Sequence, residues 1–296
     1  MHSIICPTMR RSCYDNLRYR KHKMWKSGLV EWIEDETAYI SVVFSWQKQE
    51  AYQKCVWYKS LGYKVMVGGP AVSYDPTFFD DVAEVGDFYR DAIKLHNPQA
   101  TFTSRGCIRN CSFCIVPSIE GNLYELENWP IRPIICDNNL LATSFNHFDS
   151  VIDKLKPLKG IDFNQGLDAR LLTIHHADRL RELDTKCIRL AWDHSRLEKQ
   201  FMKAFEILTA SGFSTWHIRV YVLIGYNDDP EDARYRLETI KGLKAWPNPM
   251  RYQPIDSLQK NSYVNGKWTD QELKNYMRYW SRQNWLWKVP FEEYLG

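Results

Sequence analysis

Residues 187–226, CIRLAWDHSRLEKQFMKAFEILTASGFSTWHIRVYVLIGY, run from one apolar strand through a helix to a second apolar strand. CIRLAWD and HIRVYVLIG are rich in β-branched and aromatic residues, whereas EKQFMKAFEILTASGF carries apolar residues three and four apart, the signature of one helix face. A helical crossover of this kind joins parallel neighbours, because a tight turn joins only antiparallel ones. The same alternation extends in both directions. ATFTSRG, PIRPIICD and GIDFNQG upstream and PMRYQPI downstream are strand-like, and FDSVIDKLKPL, HHADRLREL and DARYRLETIKGLKAW between them have helical spacing. Six strands separated by helices predict an α/β fold with a partial or complete parallel (βα)6-type barrel, whose function sits at the strand C-terminal ends.

Before this region, residues 37–46 (TAYISVVFSW), the helical stretch QKQEAYQKCVWYKSLGY and the strand KVMVGGP, ending at Gly68-Gly69, form a strand-helix-strand unit. That predicts a small Rossmann-like α/β segment ahead of the barrel. The 36 residues before it are basic from Arg18 to Lys26 and without a clear period, and read as an arm or an extra helix. After residue 257 the chain turns polar and then gives TDQELKNYMRYWSRQNWLW, a helix with Thr269 as N-cap and Glu272 three positions on. Its Tyr276, Tyr279, Trp280, Trp285 and Trp287, mixed with Arg278, Arg282 and Lys288, read first as an aromatic face packed on the barrel and second as a stacking surface for nucleic acid. The expected domains are therefore 1–95, 96–256 and 257–296.

At 296 residues, 44% hydrophobic and 25% charged, the chain is long enough for a sizeable core. A net charge of only +3 announces neither a nucleic-acid binder nor a membrane-surface protein. No run of about 18 apolar residues is present, and the start MHSIICPTMRRSCYDN lacks the apolar stretch of a secretory signal, so a cytoplasmic location without a membrane is expected. Three of the eight cysteines, Cys107, Cys111 and Cys114, crowd into eight positions, which in a reducing compartment favours metal ligation over disulfides. Cys6, Cys13, Cys55, Cys136 and Cys187 are scattered and read as small core residues. His175-His176 begins a helix, where adjacent side chains diverge by about 100° and suit solvent better than a shared metal.

The cysteines follow a strand in the spacing C-x3-C-x2-C, which lets one loop wrap three thiolates around one group. Four irons want four ligands, so three cysteines leave one iron open for a substrate or cofactor. Zinc is the competing metal, but structural zinc sites generally pair two C-x2-C units and no second pair exists here.

With Phe113 before the third cysteine, this motif resembles the signature of the radical S-adenosylmethionine superfamily. TSRGC and CSFCIVP resemble its methylthiotransferase and cobalamin-binding branch. Over residues 100–256 the resemblance implies a 4Fe-4S cluster on Cys107, Cys111 and Cys114. It also implies S-adenosylmethionine chelated to the open iron and cleaved to a 5′-deoxyadenosyl radical, which abstracts hydrogen from an unidentified substrate. Nucleic acid or peptide is the class suggested by that branch. The cofactor contacts it implies are Asp137, or Asn138, for the methionyl amine, Gln165 and Arg170 for ribose and carboxylate, Asp193 in place of a glutamate, and the Ile224-Gly225 backbone for adenine. A one-electron reductant such as a flavodoxin or ferredoxin is the implied partner. Val65-Met66-Val67-Gly68-Gly69-Pro70 is similar to the strand-loop before the barrel in cobalamin-binding relatives, but no D-x-H-x-x-G motif is present and cobalamin is not expected. A second cluster on Cys6, Cys13 and Cys55 lacks recognisable spacing. The alternatives to an enzyme are a non-enzymatic iron-sulfur electron-transfer or sensing protein and a nucleic-acid-binding zinc module.

Overall fold

The structure, a computed structural model, describes residues 25–26, 28–86, 91–185, 187–282 and 286–294. The basic arm before Trp25, with Cys6 and Cys13, and Trp285 lie outside the described residues.

The first sheet has the order β1-β2-β3-β4, with β1 Leu29–Glu34, β2 Thr37–Val42, β3 Lys64–Gly68 and β4 Glu84–Val85. β2, helix α1 (Lys48–Ser60) and β3 make the parallel unit expected from the sequence. The strand stops at Val42 rather than running to residue 46, because Ser45–Gln47 turns into a 3-10 helix. β1, which was expected to be arm or helix, pairs antiparallel with β2 through a tight turn at Asp35-Glu36, both at positive φ. Ala38, Ile40, Val42, Cys55, Val65 and Val67 close a core of their own.

Residue 100 opens the second region. Its six parallel strands are β5 Ala100–Thr101, β8 Ile134–Ile135, β9 Lys159–Phe163, β11 Ile188–Ala191, β12 Ile218–Ile224 and β13 Trp246–Arg251. The short antiparallel pair β6 Ser104–Arg105 and β7 Tyr124–Glu125 is inserted after β5. β5, β8 and β9 pair in order, with β10 Asp184–Thr185 against the start of β9, and β11, β12 and β13 form a second run. The two runs join at one bridge, Leu167 to Leu190, where Leu167 N–H donates to Arg189 O at 2.8 Å. The result is a partial barrel, since among the described residues β5 and β13 do not pair. The last strand begins at Trp246, three residues before the expected PMRYQPI. Its two prolines are tolerated because among the described residues it pairs on one side only, with β12.

Helices α2 (Phe145–Leu155), α3 (Ile174–Arg181), α4 (Glu198–Ala210) and α5 (Pro230–Gly242) connect successive barrel strands, and their buried residues enter one large core with Ile161, Leu190, Val220 and Val222. Helix α6 (Asp270–Trp280) carries the expected Thr269–Glu272 capping box and buries Leu273, Tyr276, Tyr279 and Trp280, so its aromatic face packs on the barrel. His176 departs from expectation. It is buried as the capping-box partner of Thr173, while His175 remains exposed and bonds Asp149 at 2.9 Å.

The first sheet is fastened beside the barrel mouth. Ser45 Oγ donates to Ser257 O at 2.7 Å, Lys260 lies 5.4 Å over the Trp46 ring, and the turn Pro70–Tyr74 packs on the turn Val116–Ile119 that follows the cysteines. Buried His96, just ahead of β5, meets Ser41 Oγ at 2.9 Å, and burial pushes its pKa down to about 4. Among the described residues no helix is long and apolar enough to cross a membrane.

Candidate functional site

The cysteine loop leaves β6 at the C-terminal end of the first barrel strand. Arg105 and Gly106 anchor its start to one carboxylate: Arg105 pairs with Glu120 at 2.8 Å, and Gly106 N–H donates to the same group at 2.9 Å. Asn138 Nδ2 adds a third bond to Glu120 at 2.7 Å, tying the end of β8 to the loop. Gly106 has φ +72°, and a Cβ there would stand 2.1 Å from Asn122 O, so both backbone shape and space call for glycine. Cys107 N–H then reaches Gly121 O, and Cys114 N–H closes a turn on Cys111 O.

All three cysteines are partly buried free thiols. Burial pushes the Cys111 and Cys114 thiols up, against the pull of Arg170 on Cys111 and of the Val116 backbone on Cys114. Cys107 Sγ accepts from Arg109 N–H at 3.3 Å and from Asn139 Nδ2 at 3.6 Å. Among the described residues no three His, Cys, Asp or Glu side chains converge as ligands of a single ion. Cys55 and Cys136 are core thiols, both pushed up to about 12 by burial, and Cys187 is likewise buried.

Facing the loop are the ends of β11 and β12. A pocket is lined by Ser112 and Phe113 from the loop, by Asp193 and His194 after β11, and by Leu223, Tyr226, Asn227 and Asp228 from β12 onward. The Phe113 and Tyr226 rings meet edge to face at 5.7 Å. Burial pushes the Asp193 carboxyl up to about 6, against the pull of Arg236 and Arg170. The structure thus brings Phe113, Asp193 and the cysteine loop together.

The other expected residues divide. Arg170 grips Asp168 at 2.6 and 2.9 Å, and its charge acts on Cys111, so it stands beside the cysteine loop. Gln165 is exposed at the end of β9. Asp137 is 3% exposed and accepts from Thr103 N–H at 2.6 Å, Thr103 Oγ1 at 2.5 Å and Ser104 Oγ at 2.7 Å. Ile224 O accepts from Tyr252 N–H at 2.8 Å, and Gly225 N–H donates to Asp228 at 2.8 Å.

Arg236, Asn139 and Glu120 also work at this end of the barrel, and in the sequence each is an ordinary polar residue. Arg236, fully buried on α5, donates to Trp192 O, Leu223 O, Asp232 and Asp228 at 2.7–3.1 Å, joining the ends of β11 and β12. Asp228 also takes Trp268 Nε1 at 3.2 Å, and Asp229 caps α5 ahead of Pro230, so Asn227-Asp228-Asp229-Pro230 builds a defined turn. Asn139 contacts both Cys107 and Asp168, and its Oδ1 is buried without a partner. Glu120 lies six residues past the last cysteine, a distance at which only the fold reveals its role.

No family model matches the chain, and no curated protein matches it. Among solved structures it is similar to the radical S-adenosylmethionine methyltransferase TsrM from Kitasatospora setae, solved with cobalamin and a [4Fe-4S] cluster bound. The TM-score is 0.54 at 12% identity, over 86% of this chain and 72% of that one. At such identity the likeness is one of architecture: the chain has an α/β fold of the kind found in that radical enzyme.

Proposed function

We propose that the chain is a radical S-adenosylmethionine enzyme whose 4Fe-4S cluster is held by Cys107, Cys111 and Cys114. One observation carries the reading: a C-x3-C-x2-C loop sits at the C-terminal end of the first strand, in a fold of the radical-enzyme kind, and faces a pocket walled by Phe113, Asp193 and Tyr226. The donor set fits. Three thiolates give three irons a ligand and leave the fourth open, and a cluster needs no convergence of the thiolates on one ion. Two N–H groups already point at Cys107 Sγ, the kind of bond that steadies a thiolate ligand.

When bound, the cluster supplies the electron that splits chelated S-adenosylmethionine into methionine and a 5′-deoxyadenosyl radical, which takes hydrogen from the substrate. The chain's residues bind and orient. Arg170 offers a planar fork for the cofactor carboxylate, sharing it with Asp168. Asp193 accepts from ribose hydroxyls, Gln165 reaches in from the third strand, and Phe113, Ile224 and Gly225 border the adenine. For the methionyl amine the reading keeps Asp137 and Asn138 and adds Asn139, whose free Oδ1 is an acceptor beside Cys107. The electron comes from a flavodoxin- or ferredoxin-like donor in the cytoplasm, and the substrate is a nucleic acid or peptide, on the resemblance to the methylthiotransferase branch. Cobalamin is no part of the reading, since the D-x-H-x-x-G motif is missing.

The test is anaerobic reconstitution followed by reduction with S-adenosylmethionine. Four irons and four sulfides per chain, an EPR signal that changes when S-adenosylmethionine is added, and 5′-deoxyadenosine in the products are expected. A loaded cluster with neither of the last two makes the chain an electron-transfer or sensing protein. Tightly bound zinc without iron-sulfur absorbance makes it a zinc module.

A further inference from the structure

A continuous chain of polar contacts runs through the protein from one of the three thiols to a guanidinium group whose charge acts on a second. Cys107 Sγ accepts from Asn139 Nδ2 at 3.6 Å, and the same Nδ2 donates to Asp168 Oδ2 at 3.2 Å. Asp168 takes Arg170 on both oxygens at 2.6 and 2.9 Å, and the Arg170 charge pulls the Cys111 thiol down. Arg109, inside the cysteine loop, closes a second route: its Nε reaches Asp168 at 3.1 Å while its own N–H serves Cys107. One carboxylate, with a side chain 7% exposed, therefore receives the cysteine loop, the segment after β8 and the segment after β9. It also holds two guanidinium groups beside the thiols with one negative charge between them.

We propose that Asp168 is a positioning residue for the cysteine site, fixing Asn139, Arg109 and Arg170 so that their N–H groups and positive charge set the reduction potential of the group bound there. The proposal rests on the iron-sulfur reading above. An N–H directed at a cluster sulfur, or a positive charge beside it, favours the reduced and more negative state, so each raises the potential. Asp168 opposes the guanidinium charge while holding its geometry. The chain makes two predictions of opposite sign. Replacing Asp168 by Asn removes the opposing charge and moves the potential up. Replacing Asn139 by Ala removes the bond to Cys107 and moves it down.

The experiment compares the reconstituted wild-type chain with Asp168→Asn, Asp168→Glu and Asn139→Ala, reading iron per chain and the midpoint potential by EPR-monitored redox titration without S-adenosylmethionine. The expected results are a positive shift for Asp168→Asn, a negative shift for Asn139→Ala and a near-wild-type value for Asp168→Glu, which keeps the charge. A merely structural role would lower iron content or stability while leaving the potential of the loaded fraction in place. Wild-type potentials in loaded Asp168→Asn and Asn139→Ala, or shifts of the same sign, overturn the proposal. Should Asp168→Asn fail to fold, Asn139→Ala alone decides it, a negative shift supporting and a wild-type value overturning. A wild-type chain that takes up no cluster is a different failure, that of the iron-sulfur reading itself.

Discussion

Arg236→Met should destabilise the chain by about 3 kcal/mol at neutral pH. The arginine is fully buried and makes four bonds, to Trp192 O at 3.1 Å, Leu223 O at 3.0 Å, Asp232 at 3.0 Å and Asp228 at 2.7 Å. Methionine keeps much of the volume and none of the bonds. Removing one partner of a buried ion pair costs roughly 3–5 kcal/mol, because the other charge is left uncompensated. Asp228 keeps Gly225 N–H and Trp268 Nε1, which places the loss at the lower end. Against a total stability of about 5–15 kcal/mol that is a large fraction. The assay is urea unfolding followed by circular dichroism, with the midpoint shifting and the slope unchanged. Burial already pushes the Asp228 carboxyl up, and without Arg236 its folded-state pKa rises further above the unfolded value. The variant should therefore regain stability as pH falls, when Asp228 binds a proton and no charge remains unpaired. Adding Asp228→Asn to Arg236→Met should cost much less than the sum of the two single changes. A loss under about 1 kcal/mol, or additive effects, would refute the idea that this pair ties the ends of β11 and β12.

Other outcomes follow from single residues. Gly106→Ala, with φ +72° and Asn122 O in the way, should destabilise the loop by more than about 1 kcal/mol and at least halve the iron taken up on reconstitution, measured as iron per chain. Cys114→Ala should abolish iron-sulfur absorbance, whereas Cys55→Ala, at a core thiol far from the loop in sequence, should lower stability and leave iron uptake intact. His96 has its folded-state pKa near 4, below the usual 6.5, so the native form binds fewer protons. Its contribution is full above pH 6.5 and about 3 kcal/mol is lost as pH falls to 4, a slope that His96→Asn should remove from urea unfolding measured across that range.

The barrel strands were legible because one buried and one partly buried face leave a largely apolar run, as in IRVYVLI, and because their crossover helices repeat apolar residues at helical spacing. The cysteine loop was legible because its three cysteines are local in sequence. What stayed hidden depends on contacts between distant segments. Glu120, Asn139 and Arg236 are ordinary polar residues in the sequence, and only the fold shows that each joins two strand ends. Asp137 adds to this: a carboxylate after a strand invites a ligand role, and only the fold shows that it already accepts from three donors of Thr103 and Ser104. β1 escaped notice because a half-exposed strand of mixed character has no strong period, and His176 because a histidine in a capping box looks like any other helical histidine.

The two prolines of the last barrel strand have a consequence for how the molecule meets others. Tyr252 N–H donates toward β12, so alternate residues before it do the same, and the positions between them face away from β12. Pro247 and Pro249 occupy two of those outward positions and bring no N–H to either. A further strand added on that side, whether a seventh element or another copy of the chain, would meet no donor at positions 247 and 249, where both prolines are buried. The last strand is in this way a poor place to extend the sheet, and the run β11-β12-β13 ends there by its own chemistry.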